Sequence, residues 1–190
     1  MNAMTAVIRT AVPDDAEQVL GIYGPIVTQT ATSFEVVLPT LDEMRTRISN
    51  TLARLPWLVC SEADGVLGYA YASQHRQRTA YQWSVDVSVY VKPELHRRGV
   101  GRSLYDSLFG ILRSLGYYSA FAGITLPNEA SVGLHTRMGF DPVGVYRGVG
   151  YKLGSWHDVG WWQLRLRAND GLPSPPIAFA ALKHTNETNS

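Results

Sequence analysis

The sequence predicts an α/β (α+β) chain with a mixed, mostly antiparallel central sheet of about six to seven strands, flanked by helices on both faces. Three observations predict it. Residues 85–91 alternate, with Val85, Val87, Val89 and Val91 on one face and Asp86, Ser88 and Tyr90 on the other, the period-two pattern of a strand between core and polar surroundings. Apolar residues at helical spacing follow, with Leu104, Leu108, Ile111, Leu112 and Leu115 on one face. Strand-like runs at 57–62 and 66–73 are separated only by Ala63-Asp64-Gly65, a hairpin turn.

The remaining elements follow in order. Val7 to Thr10 reads as a short strand. Pro13-Asp14-Asp15 opens a helix to about Thr28, its acidic first turn suiting the helix dipole. Thr40-Leu41-Asp42-Glu43 has capping-box spacing and starts a second helix running to about Arg54. After the helix of the 104–115 stripe, Gly116 serves as its C-cap. Tyr118 to Gly123 is a strand, and Pro127-Asn128 opens a helix ending near Met138-Gly139. Strands near 140–147 and 158–167 complete one domain, residues 1–167. Residues 168–190, with Gly171, Pro173, Pro175 and Pro176 before a polar end, read as an extended C-terminal extension suited to packing on a partner subunit.

At 190 residues the chain holds a sizeable core. The net charge of +1 gives no global field for nucleic acid or an anionic membrane, so Arg97, Arg98 and Arg102 are a local feature. The single cysteine, Cys60, forms no intramolecular disulfide and suits a reducing compartment. Its setting, Trp57-Leu58-Val59-Cys60, reads as a buried strand, not a nucleophile. There is no run of about 20 apolar residues for a membrane span and no signal-peptide pattern, so a cytoplasmic location is expected. The acceptor pattern Asn186-Glu187-Thr188 carries no weight without secretion. No metal site is indicated.

The most informative stretch is 85–104. The alternating strand turns through Pro93 into Arg97-Arg98-Gly99-Val100-Gly101-Arg102 and enters a helix. Glycines there let main chain approach a ligand, and unpaired amides at a helix start favour an anion. A dinucleotide fingerprint would need glycine where Leu104 stands, and a Walker loop needs a lysine that the 97–102 turn lacks. A second stripe, Asn128, Ser131 and His135, falls at spacings of three and four on one helix, before Gly139-Phe140.

The two-glycine loop resembles the acyl-CoA loop of the GNAT superfamily of N-acetyltransferases, with His96 in the slot where that pattern has Gln or Arg. Thr32-Ser33-Phe34-Glu35, Arg78-Thr79-Ala80-Tyr81-Gln82-Trp83, Leu126-Pro127-Asn128, Leu134-His135 and the block from Gly150 to Gly160 are similar to the phosphinothricin and methionine sulfoximine N-acetyltransferases, over residues 7–166. The resemblance implies the GNAT fold, acetyl-CoA as co-substrate, a small amino-acid analogue as acceptor, and a homodimer. Main-chain groups of Val89, Tyr90 and Val91 would then bind pantetheine, Arg97, Arg98, Gly99, Val100, Gly101 and Arg102 the pyrophosphate, and Asn128 the cofactor arm.

Amine acetylation requires loss of a proton, stabilisation of an oxyanion and departure of a thiolate. Asp86 occupies the place where this family carries its base, usually Glu. Being one methylene shorter, it would act through water or else anchor the substrate ammonium. His135 replaces a tyrosine of the superfamily and either protonates the thiolate or contacts the cofactor. Arg76 and Arg78, two apart on an expected extended segment, would share a face and grip the acceptor's acid group. Ser88, Phe34, Tyr81 and Lys152 are further acceptor-pocket candidates. Acetylation of the α-amino group of a glutamate-like analogue (phosphinothricin, methionine sulfoximine or sulfone, arsinothricin type) is the expected reaction. The alternatives are another small amine or a protein N-terminus as acceptor, or a non-catalytic acyl-CoA-binding module.

Overall fold

A computed structural model of the protein describes residues 6–63 and 65–182. The turn residue Asp64 and the Asn186-Glu187-Thr188 pattern lie outside the described residues. The elements are β1 (Val7–Thr10), α1 (Ala16–Gln29), α2 (Leu41–Leu52), β2 (Trp57–Glu62), β3 (Gly65–Gln74), β4 (Ser84–Val91), α3 (Val100–Ser114), β5 (Ser119–Leu126), α4 (Glu129–Arg137), β6 (Asp141–Lys152) and β7 (Ser155–Arg165). The seven strands form one sheet in the order β1-β2-β3-β4-β5-β7-β6. Every neighbouring pair is antiparallel except β4 and β5.

Local chemistry accounts for the element starts. A 3-10 turn, Pro13–Asp15, leads into α1. Asp15 there accepts from Arg9 at 2.6 and 2.7 Å and from the Val12 amide at 2.8 Å. The Thr40–Glu43 capping box forms in both directions: the Glu43 amide donates to the Thr40 hydroxyl oxygen and the Thr40 amide to the Glu43 carboxylate. Gly116 adopts φ +94° just beyond α3, a conformation that favours glycine.

Two cores sandwich the sheet. On one face α3 buries Leu104, Leu108, Leu112 and Leu115 against Val85, Val87, Ala120, Ala122 and Cys60, with Ile111 half-buried at the margin. On the other, α1 and α2 bury Val19, Ile22, Val27, Met44 and Ile48 against Trp57, Val59 and Tyr69. The alternation of β4 thus delivers its valines to α3 and turns Asp86, Ser88 and Tyr90 to the opposite face.

The structure revises four expectations. β5 continues to Leu126, and the β6–β7 hairpin extends through Lys152 and Ser155. Gly148 looks like a strand terminator, but with φ +53° it is absorbed where the register shifts between Tyr146 and Gly150. Residues 75–83 are not extended: β3 stops at Gln74, and a 3-10 turn occupies Thr79–Tyr81. The C-terminal extension, as far as it is described, packs on its own domain. Trp83 Nε1 donates to the Ser174 carbonyl, the Ile177 and Phe179 amides donate to the Leu115 and Arg54 carbonyls, and Phe179 is buried.

Candidate active site

The sheet parts in the middle. β4 runs from Ser84 to Val91 and β5 from Ser119 to Leu126, yet they pair only at Ser84–Ser119, Val85–Ala120 and Asp86–Phe121. Beyond Asp86 the two parallel strands diverge. The opening is lined by Val87, Ser88, Val89 and Tyr90 of β4, Ala122 to Thr125 of β5, Tyr105 of α3, and Asn128, Ser131 and His135 around α4, with Thr32 at its rim. The β4 edge facing β5 is therefore free to bond an extended ligand arm, which fits the expected placement of Val89 and Tyr90 against pantetheine. Val91 lies at the outer end of the same edge.

The loop after β4 is shaped for an anion. Arg97 and Gly99 take φ +64° and +87° on either side of Arg98. Gly99 is the N-cap of α3. Its carbonyl accepts the Ser103 amide, while the amides of Val100, Gly101 and Arg102 have no acceptor among the described residues. Gly101 sits close under Leu134, Val91 and Val89. Arg97, Arg98 and Arg102 are exposed, and Arg102 pairs loosely with Asp106 at 3.6 Å. Their side chains surround the cradle without forming it. His96, in the departing slot of the motif, bonds the Val91 carbonyl through Nε2 at 3.2 Å and so ties the loop to the strand.

His135 is buried, and both ring nitrogens are engaged. Nδ1 lies 2.8 Å from the Ser131 carbonyl, which only accepts, so Nδ1 carries the proton; Nε2, 3.0 Å from the Tyr105 hydroxyl, then accepts from it. Burial pulls the imidazole below its ordinary value, opposed by the bond to Ser131. The ring is neutral, and its one N–H points into its own helix, an arrangement that favours cofactor contact over proton donation. Tyr105, the hydroxyl that completes this chain, was hidden in the sequence inside an apolar helical stripe. Asn128 caps α4 by accepting the Ser131 amide at 3.0 Å.

At the point where β4 and β5 part, Asp86 meets His75, whose Nδ1 is 2.6 Å from its Oδ1. Burial lifts the Asp86 carboxyl above the usual range, opposed by the His75 hydrogen bond and the charges of His75 and Arg76. Sequence reasoning missed His75 because it belongs to no motif. Of the two expected guanidinium groups, Arg76 lies over the Trp161 ring at 6.0 Å, within electrostatic reach of Asp86. Arg78 caps the following 3-10 turn and is exposed, so the pair does not share a face in the expected way. Tyr81 stands edge-on to His75, and Ser88 lies opposite Tyr71 across the β3–β4 pair. Phe34 packs over Gly150, where a Cβ would collide with its ring. Lys152 is buried and donates to the Ser33 carbonyl at 2.6 Å, fastening the Phe34 loop to β6.

On the same face, a cavity of about 310 Å³ lies beneath α2, lined by Tyr23, Met44, Arg47, Trp57, Tyr69 and Tyr71 among others. Arg47 bonds Glu35 at 2.6 Å at its edge. Among the described residues, no three His, Cys, Asp or Glu side chains are grouped to hold a metal, and no helix is long and apolar enough to cross a membrane.

A splayed central strand pair above a glycine-bearing helix start is the architecture of an acyl-CoA-dependent acetyltransferase. The profile of the family described as "Acetyltransferase (GNAT) domain" matches residues 8–161. The chain belongs to the GNAT N-acetyltransferases. It is 37% identical over 169 residues to a phosphinothricin N-acetyltransferase of Streptomyces viridochromogenes, covering 89% of this chain and 90% of that one. Over 173 residues it is 35% identical to the L-methionine sulfoximine/L-methionine sulfone acetyltransferase of Pseudomonas aeruginosa, covering 90% and 100%. The crystal structure of a GNAT superfamily phosphinothricin acetyltransferase from Sinorhizobium meliloti in complex with AcCoA superposes with a TM-score of 0.86 at 33% identity, over 92% of this chain and 96% of that one.

Proposed function

We propose that the protein transfers the acetyl group of acetyl-CoA directly to the α-amino group of a small, anionic, glutamate-like amino-acid analogue of the phosphinothricin, methionine sulfoximine or sulfone, or arsinothricin type. The observation that carries this reading is the position of Asp86 at the last paired residue of β4, where the groove opens. In this reading the pyrophosphate lies on the free amides of residues 100–102, pantetheine runs along Val89 to Val91, and the thioester carbonyl meets the amide of Val89 or Tyr90 as oxyanion donor. The acetyl carbon then faces Asp86, whose charge receives the acceptor ammonium at the point where its proton is removed. Arg76 supplies the acceptor's acid group with a counter-charge, with Arg78 further out and Phe34 and Tyr81 as walls.

The names of the relatives and the acidic-group chemistry of Arg76 support this acceptor class. Free-thiol release with acetyl-CoA and a panel of amines tests it. Methionine sulfone and phosphinothricin are expected to turn over far better than spermidine, and preference for spermidine would reject the assignment.

The homodimer is also part of the proposal. Val143, Val145, Tyr146, Val149, Tyr151, Leu153 and Trp156 of the β6–β7 hairpin are all at least two-fifths exposed, an apolar patch of the kind that marks an interface. A second copy of the chain is its proposed occupant. Sedimentation is expected to give a dimer that Tyr151→Glu with Trp156→Glu splits; a monomeric wild type would refute it.

A further inference from the structure

His75 lies just beyond β3 and reaches across the sheet to Asp86. Its ring is fixed on several sides. It stacks on Phe121 with centroids 4.4 Å apart and planes within 14°, and Phe121 is the residue paired with Asp86 on β5. Tyr81 and Trp161 meet it edge-on at 6.0 and 6.2 Å. The side chain is only 11% exposed. Nδ1 is bonded to Asp86, and Nε2 has no hydrogen-bond partner among the described residues. An imidazole oriented through one nitrogen by a carboxylate and open at the other is the arrangement that makes a general base. The charged and titratable groups around it are Asp86 on β4, Arg76 beside it, Tyr81 in the following turn and Tyr71 on β3, within electrostatic reach of Asp86. From β5 and β7 only the uncharged Phe121 and Trp161 rings face it.

We infer that His75 and Asp86 act as a dyad, in which His75 Nε2 accepts the acceptor's ammonium proton while Asp86 fixes the tautomer and stabilises the imidazolium. The pairing answers the shortness of Asp86: the carboxylate that would otherwise need a bridging water gains the width of an imidazole ring. His75 is then the catalytic base and Asp86 a positioning residue. In the balanced step, the ammonium N–H bond breaks and Nε2–H forms, that proton passing to solvent. The freed amine forms a C–N bond to the acetyl carbonyl, and the C–S bond breaks with its electron pair on sulfur. The second proton lost as the amide forms accounts for the proton on the coenzyme thiol. The inference rests on amine acetylation at this site.

The test combines His75→Phe, which keeps an aromatic ring against Phe121, with His75→Phe/Asp86→Glu, which lengthens the carboxylate. His75→Phe is expected to lower kcat by roughly 10²-fold or more with the KM for acetyl-CoA unchanged. In the double variant, activity should largely return, because the longer carboxylate reaches the ammonium without the ring. A His75→Phe enzyme with wild-type kcat would overturn the dyad and leave the acetyltransferase reading intact. A second readout is independent of the acceptor: in ¹⁵N histidine spectra His75 should hold its proton on Nδ1, a preference that Asp86→Asn should weaken. The opposite tautomer, or no change with Asp86→Asn, overturns the inference. Wild-type enzyme that releases no thiol with any amine would instead refute the proposed function itself, and the base role with it.

Discussion

The two ends of the groove are made of different parts of the chain. Around 97–102 the polar groups left free are main-chain amides, freed because α3 begins there, and the arginines beside them are exposed. Around Asp86 they are side chains, held by a 2.6 Å contact to His75 and by a packed set of rings. An amide cradle depends on backbone conformation and tolerates many side chains. A carboxylate–imidazole pair depends on the identity of each member. Substitutions should therefore strike acceptor chemistry hard and carrier binding softly.

The largest expected effect tests that division. Asp86→Ala should cut kcat by about 10²- to 10⁴-fold, while calorimetry shows acetyl-CoA affinity retained; loss of both would erase the distinction between the ends. Next, Arg76→Ala with Arg78→Ala should raise the acceptor KM by roughly 10- to 100-fold, the scale of a charge-assisted hydrogen bond, and leave the acetyl-CoA KM alone. Arg76→Ala should account for most of it, since Arg78 is turned outward. Arg98→Ala should raise the KM for acetyl-CoA by only about fivefold or less, as suits a solvated charge. A loss of a hundredfold there would show that side chains, not amides, hold the carrier.

A final prediction concerns stability outside the groove. Arg9 and the Val12 amide hold the Asp15 carboxyl below the usual carboxylate range, although burial pushes it up. A depressed carboxylate stabilises the fold above its unfolded value of about 3.9, and that contribution is lost as pH falls through its folded value. Asp15→Asn should cost roughly 1.5 kcal/mol in urea unfolding at neutral pH, at the low end for a charged hydrogen bond because Arg9 is partly exposed. The difference from wild type should vanish in acid.

What the sequence made legible follows the same division. The alternation of residues 85–91, the Thr40–Glu43 box and the α3 stripe are local patterns, and each forms as expected. The geometry of the glycine loop was readable because it lies in backbone conformation written as Gly99 and Gly101. His75 was not readable, since its meaning arises only when β3 and β4 pair and bring it to Asp86. Tyr105 was hidden for the same reason, as a ring at a core position whose hydroxyl meets His135 from another helix. The expected Arg76–Arg78 face failed because the segment turns instead of extending, a choice that no local periodicity announces.

Three residue pairs are all that join β4 to β5. The seven strands therefore fall into two groups, β1–β4 and β5–β7, joined along a short seam whose last stitch is Asp86–Phe121. His75, bonded to Asp86 and stacked on Phe121, lies across that stitch. Hydrogen exchange should find the β4 amides past the seam, though central in the sheet, opening more readily than those of β3 until a bound thioester closes the gap.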